Sequence, residues 1–161
     1  MNSSTRKARL LFRYLLLLPV IAFVGGCTSS PDKPVGSADL ALCGPLPNCV
    51  NSASGQGAQA VDPIQADDAQ WQQLKTWIAQ QPDWEIVVDD SHFIQAVART
   101  PLMRFRDDVQ LQFKPKAGLI HVRSSSRLGI SDLGANRKRV EVLRAVVDPA
   151  AAGERSSMYD Y

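Results

Sequence analysis

At 161 residues the chain has room for one domain of ordinary size and not for two. Its formal charge of +2 and pI of 8.5 do not describe a basic working protein, because four basic residues and no acids lie in the first 26 positions. Without that segment the charge is −2, and it is unevenly spread. Residues 27–98 hold two Lys and nine acids, whereas residues 99–144 hold eleven basic residues and four acids. The asymmetry points to an electropositive face, or to an acidic half that neutralises a basic one within the fold.

The chain begins as a signal peptide over 1–26. Arg6, Lys7, Arg9 and Arg13 form a basic start, and Tyr14 to Val24 is an apolar run too short for a permanent membrane span. The run ends in Val24-Gly25-Gly26-Cys27, which resembles the lipobox of bacterial lipoproteins. That resemblance implies cleavage before Cys27 and a lipid on its sulfur. It also implies a cell-envelope address, and Thr28, in place of Asp, implies the outer membrane facing the periplasm. The membrane is then a partner through the lipid. Residues 27–42, rich in Ser, Pro and Gly, are expected to form a flexible tether.

Cys43 and Cys49 are left after lipidation of Cys27. In an oxidising compartment a disulfide closing this short loop is the simplest reading. The spacing is not C-x-x-C, and no nearby His or further Cys completes a metal site, so no metal and no cofactor are expected. Residues 51–66 again look like linker.

Asp67 or Asp68 is placed to cap a helix over Ala69 to Gln81, with Trp71, Leu74, Trp77 and Ile78 on one face and Pro82 as the stop. Strands are predicted at Trp84–Val88, at His92–Thr100, at Val109–Phe113 and at Leu119–Ser125, with Arg104 to Asp107 as a connection. The third and fourth read as a hairpin. Val109, Leu111, Phe113, Ile120 and Val122 would lie under the helices. Gln110, Gln112, His121 and Arg123 would face the other way, exposed or covering a ligand. A second helix is expected from a cap at Ser131 or Asp132 to about Val147, with Val140, Leu143 and Val147 inward. Residues 43–148 thus form a single α+β domain. The predicted fold is a two-layer sandwich, a roughly four-stranded antiparallel sheet with two helices on one face, followed by a disordered tail over 149–161.

The stretch Arg123 to Arg144 is the densest in polar groups. Arg137, Lys138 and Arg139 fall in the first turns of the second helix, where cations oppose the helix dipole. One reason for them is an anion or acidic partner held by Arg123, Ser124, Ser126, Arg127, Ser131, Asp132, Asn136, Arg137 and Arg139. The other is internal pairing of Arg127, Arg137 or Arg139 with Asp107, Asp108 or Asp132. No catalytic residue is assigned. A Ser/His/Asp set can be collected from His121, Ser124, Ser126, Ser131 and Asp132, but such a triad is defined by geometry, and no G-x-S-x-G elbow is present. Nucleic acid is a poor partner, because no aromatic platform accompanies the basic run.

Three segments carry a family resemblance: Cys43 with Pro47-Asn48-Cys49-Val50, Phe105 to Val109, and the spaced pattern from Arg123 to Arg139. Together they resemble the bacterial domain of unknown function number 1499, over roughly Cys43 to Val147. Lipid-anchored members exist, in keeping with Cys27, and the resemblance implies no activity. The expected function is a lipid-anchored, non-enzymatic envelope binding or accessory module for an anionic ligand or an acidic protein surface. A hydrolase-like enzyme and a purely structural assembly factor are the alternatives.

Overall fold

A computed structural model describes residues 39–100 and 103–149. The expected signal peptide, Cys27, residues 28–38 of the expected tether and the expected tail from 150 onward lie outside them. The elements in order are β1 (Cys49–Asn51), a 3-10 turn (Gly57–Gln59), β2 (Ile64–Gln65), α1 (Asp68–Gln80), β3 (Trp84–Asp89), β4 (Phe93–Arg99), β5 (Arg106–Lys114), a second 3-10 turn (Pro115–Ala117), β6 (Leu119–Ser126) and α2 (Ala135–Val147). The architecture is α+β, with both helices on one face of an antiparallel sheet.

The sheet has six strands rather than four, in the order β1-β6-β5-β4-β3, with β2 also paired to β6. Strand β1 comes from the end of the cysteine loop and the first residue of the segment expected to be linker, and β2 from within that segment. They are three and two residues long, too short to show alternation. Each is specified by the free edge of β6: Val50 lies opposite Ser124 and Ile64 opposite Ile120. Strand β5 also starts earlier than expected and takes in Arg106, Asp107 and Asp108.

Sequence and local physics agree well in the helices. Asp67 accepts from the Gln70 backbone while the Gln70 side chain accepts from the Asp67 backbone, a reciprocal cap that satisfies two orphan donors. Trp71, Leu74 and Ile78 are buried and meet Val140, Leu143 and Val147 of α2 over Ile94, Ala96, Val109, Leu111, Phe113, Ile120 and Val122. Trp71 stacks on Phe113 at 5.5 Å. Gln70 and Gln73 donate to the carbonyls of Val147 and Val146, closing the end of α2. Among the described residues every member of this core lies between Val50 and Val147.

The opposite face of the sheet is not open, as the sequence led one to expect. Gln110, Gln112 and Arg123 are all buried. Asp39 to Leu42, predicted to be tether, form a strap against this face, with Leu40 and Ala41 buried. The Ala41 amide donates to Gln110 Oε1 at 2.9 Å, and its carbonyl accepts from Asn51 Nδ2 at 2.9 Å. The Cys43–Cys49 disulfide fastens the end of the strap to β1. The strap succeeds because Gln110 and Asn51 supply the hydrogen bonds that its extended backbone needs on an otherwise polar face.

These contacts predict how the disulfide acts. In a Cys43→Ser/Cys49→Ser variant, the Ala41 amide should exchange with solvent far faster, while the β5 and β6 amides keep their protection. Loss of closure of so small a loop costs about 2 kcal/mol, to be read by urea unfolding and by hydrogen exchange on the same sample.

Candidate functional site

Consecutive residues of a strand point to opposite faces, so Asp107 and Asp108 cannot share an environment. Asp107 faces the helices and is 1% exposed; Asp108 faces the strap side and is 2% exposed. A buried carboxylate needs a cation and hydrogen bonds, and each has found an arginine from the spaced motif.

On the strap side, Arg127 Nε donates to both oxygens of Asp108 at 3.2 and 3.1 Å, and Nη2 adds a bond of 2.8 Å to Oδ1. The hydrogen bonds to Asp108 push the Arg127 pKa above its ordinary value. On the helix side, Arg139 Nη2 donates to Asp107 Oδ2. Its Nη1 donates to Ser124 Oγ at 2.9 Å and to Asn136 Oδ1 at 2.7 Å. The Ser124 hydroxyl donates to the same Asn136 oxygen at 2.7 Å. Asn136 Nδ2 then donates to the Asn48 carbonyl at 2.9 Å and to Ser126 Oγ at 3.1 Å. Asp132 accepts from the Gly134 and Asn136 amides at 3.0 and 2.9 Å and so caps α2 from just outside it. Gly134 takes a φ of 82°, which lets the chain turn from the Asp132 cap into the helix.

The cations at the start of α2 therefore have uses that offset their place against the dipole. Arg139 pairs with Asp107, and Arg137 Nη2 donates to the carbonyls of Ala58 and Ala60 at 2.9 and 2.8 Å. Arg144, which the pattern reading did not single out, donates to the Pro63 and Asp62 carbonyls, both at 2.9 Å. These two arginines hold the 57–63 segment that leads into β2.

Arg123 is different. It is 4% exposed, on the strap side, and its Nε and Nη1 are buried with no hydrogen-bond partner. Burial lowers its pKa, and the charge of Asp108 only partly opposes that effect.

The structure does not assemble the hydrolase set. His121 pairs opposite Gln112, on the strap side, while Ser124 and Ser126 point to the helices. The neighbour of His121 is Ser52, with Nδ1 3.4 Å from Oγ, and that oxygen already accepts the Val122 amide at 2.8 Å. Ser131 Oγ accepts from the Leu133 amide in the loop. Among the described residues no group of three His, Cys, Asp or Glu is placed to hold a metal ion. No helix of the described residues is long and apolar enough to cross a membrane.

A cleft of about 630 Å³ opens over the Asp107 side of this network, between the β4–β5 connection and the β6–α2 loop. Met103, Phe105, Leu128 and Leu133 form its apolar walls, and Asp107 and Ser126 lie among its lining residues. Asp107 Oδ1 is buried and has no hydrogen-bond partner. A second cleft, of about 590 Å³, lies at the far end of the sheet, where Phe93 and Pro115 meet His92, Gln112, Lys114 and Lys116. Neither cleft was legible in the sequence, because the walls of each come from separate loops. The one available signal for the first was a pair of acids at the head of an apolar strand.

A family model for proteins of unknown function, DUF1499, matches residues 39–147. The chain belongs to that family. Its matched span begins at the strap and ends with α2, so the strap is part of the family domain. No curated protein and no solved structure matches the chain.

Two predictions follow from the ion pairs and from His121. Arg127→Ala and Arg139→Ala each strand a buried carboxylate and should cost about 3–5 kcal/mol in urea unfolding. Arg137→Ala, whose partners are surface carbonyls, should cost about 1 kcal/mol or less. His121 has its pKa lowered by burial, and secondarily by Lys114, so the unfolded chain protonates there first. Stability is then unaffected well above about pH 6.5 and declines as pH falls through that value toward the folded pKa. His121→Gln should remove this part of the acid decline, measured as urea midpoints across the range.

Proposed function

We propose that this protein is a non-enzymatic binding module of the bacterial envelope, held to the membrane by a lipid on Cys27, with the cleft over Asp107 as its ligand site. The observation that carries the reading is the Asp107 carboxylate. It is 1% exposed, lies among apolar walls, and has one oxygen without a donor. Buried acceptors are nearly always satisfied, and an apolar cleft with one fixed polar group is the usual form of a small-molecule site. Because Arg139 already balances the carboxylate, the site favours a neutral ligand: an apolar body that presents a hydroxyl or amide N–H to Oδ1.

The lipobox resemblance, the basic and apolar start and Thr28 support the address, which is the outer membrane facing the periplasm. The anionic-ligand reading is a second one, and it rests on Arg123. That guanidinium has two unpartnered donors, whereas Arg127 and Arg139 are occupied by Asp108 and Asp107.

Thermal unfolding of residues 28–161, without the lipid, tests both. A ligand that binds only the folded state raises the midpoint, by about 2.7 kcal/mol of stability at a hundredfold excess over Kd. The expected result is a rise with long-chain alcohols and N-acyl amides, abolished in Phe105→Ser/Leu128→Ser, and none with inorganic phosphate. A rise with phosphate alone, lost in Arg123→Met, would replace the cleft reading by the anion reading.

A further inference from the structure

Nine large apolar side chains are exposed among the described residues, and they are not scattered. Five of them, Met103, Phe105, Leu128, Ile130 and Leu133, sit on the two loops that frame the cleft over Asp107. Ile130 and Leu133 are the most exposed of these, at 74% and 96%. Leu133 stands at the wall of the cleft, and Ile130 lies outside its lining. Below them the loop is fastened: Asn48 Nδ2 donates to the Gly129 carbonyl at 2.9 Å, Asp132 caps α2, and Arg127 grips Asp108. The Asn48 bond also brings the disulfide loop alongside, with Leu46 43% exposed. A rigid projection that ends in aliphatic side chains gains nothing from water, and a cluster of this kind marks a surface that another phase or molecule covers.

We propose that this end of the domain docks on a phospholipid bilayer, with Ile130 and Leu133 entering the boundary between headgroups and acyl chains. Two features favour a lipid surface over a second protein. The first is charge. Arg104 and Arg106 are exposed and line one groove with Met103, Phe105 and Leu128 of the same apolar cluster; Arg106 makes no ion pair among the described residues, and Arg104 only a long one of 3.4 Å to Asp83. Cations around an apolar tip suit anionic headgroups around acyl chains. The second is reach. Asp39 lies twelve positions after Cys27, so a lipid on Cys27 keeps the start of the strap within at most about 40 Å of the bilayer. Tethering converts docking into an intramolecular event, so a surface too weak to bind alone is populated once anchored.

The docking rests on the loop tips and not on occupancy of the cleft, although it would turn the cleft mouth toward the bilayer. The test uses residues 28–161, which hold every core residue described, from Val50 to Val147, and vesicles of phosphatidylglycerol mixed with phosphatidylethanolamine or of phosphatidylcholine alone. Co-sedimentation is expected with the anionic vesicles, weakened by salt and by Arg104→Gln/Arg106→Gln. It should fall at least tenfold in Ile130→Ser/Leu133→Ser, with the thermal midpoint unchanged because both side chains are exposed. A Leu133→Trp variant should show a blue-shifted emission on the same vesicles. Vesicle binding that survives Ile130→Ser/Leu133→Ser, or no binding to either composition, would overturn the proposal. So would concentration-dependent dimerisation abolished by that double variant without any vesicle binding, which would make the surface a protein interface. Midpoint shifts with monomeric long-chain alcohols, measured on the unsubstituted protein and on Ile130→Ser, whose side chain does not line the cleft, report on the cleft separately, so the two readings fail independently.

Discussion

The fold depends on the answer given to two adjacent aspartates. Strand geometry sends Asp107 and Asp108 to opposite sides of the sheet, into two layers that each exclude water. Neither carboxylate is tolerable there alone. Arg139 comes down from α2 to the first, and Arg127 folds back from the end of β6 to the second. The β6–α2 loop is stretched between these two anchors, so its path is largely set before any of its own residues are considered. Ser124, Ser126, Asn136 and Asp132 then serve as fittings. They satisfy the remaining oxygens and donors, and they tie the loop to Asn48 and to the start of the helix.

Such a network is an inefficient way to stabilise a core, since well-packed apolar residues often do as well. What it supplies is position. The apolar side chains of the loop are held clear of the core, where hydrophobic collapse would otherwise draw them. A cleft survives between the loops because its floor is a charged pair that cannot be filled by simple packing. Among the described residues three spots stay unsatisfied: Asp107 Oδ1 at the cleft, Gln112 Nε2 by the second cleft, and the Arg123 guanidinium under the strap. Polar atoms without partners are rare enough in interiors to mark places where the molecule is organised for something besides its own stability.

The sequence was legible where local rules govern. The α1 boundaries, the β5–β6 hairpin and the inward set of α2 follow from helical and alternating periods and from caps. Strand β4 was ambiguous for a physical reason: Ile94, Ala96 and Ala98 face the helices while Gln95 and Val97 lie buried on the other side, so neither alternate set reads as solvent-facing. Strands β1 and β2 were invisible because their identity belongs to β6. The covered back face was hidden by distance along the chain. Gln110 and Arg123 read as surface residues until Ala41, 69 positions from Gln110, is laid across them. Opposite charges named the partners of Arg127 and Arg139, but only the pleat of β5 assigned which acid goes with which arginine. The cleft was beyond reach, because residues 103–105 and 127–133 meet only in three dimensions.

The bond from Asn48 to Asn136 spans 88 positions, and Arg139 lies farther along still. A ribosome or a translocation channel delivers Asn48 early and Arg139 nearly last. Until then Asp107 has no cation, and leaving it hydrated costs less than burying it. The sheet layer is thereby discouraged from closing on a half-delivered chain, and the long separations make that closure slow in any case. A charged pair set deep in a small domain works as a completeness check: the protein becomes compact only when the segment that also forms its second helix has arrived.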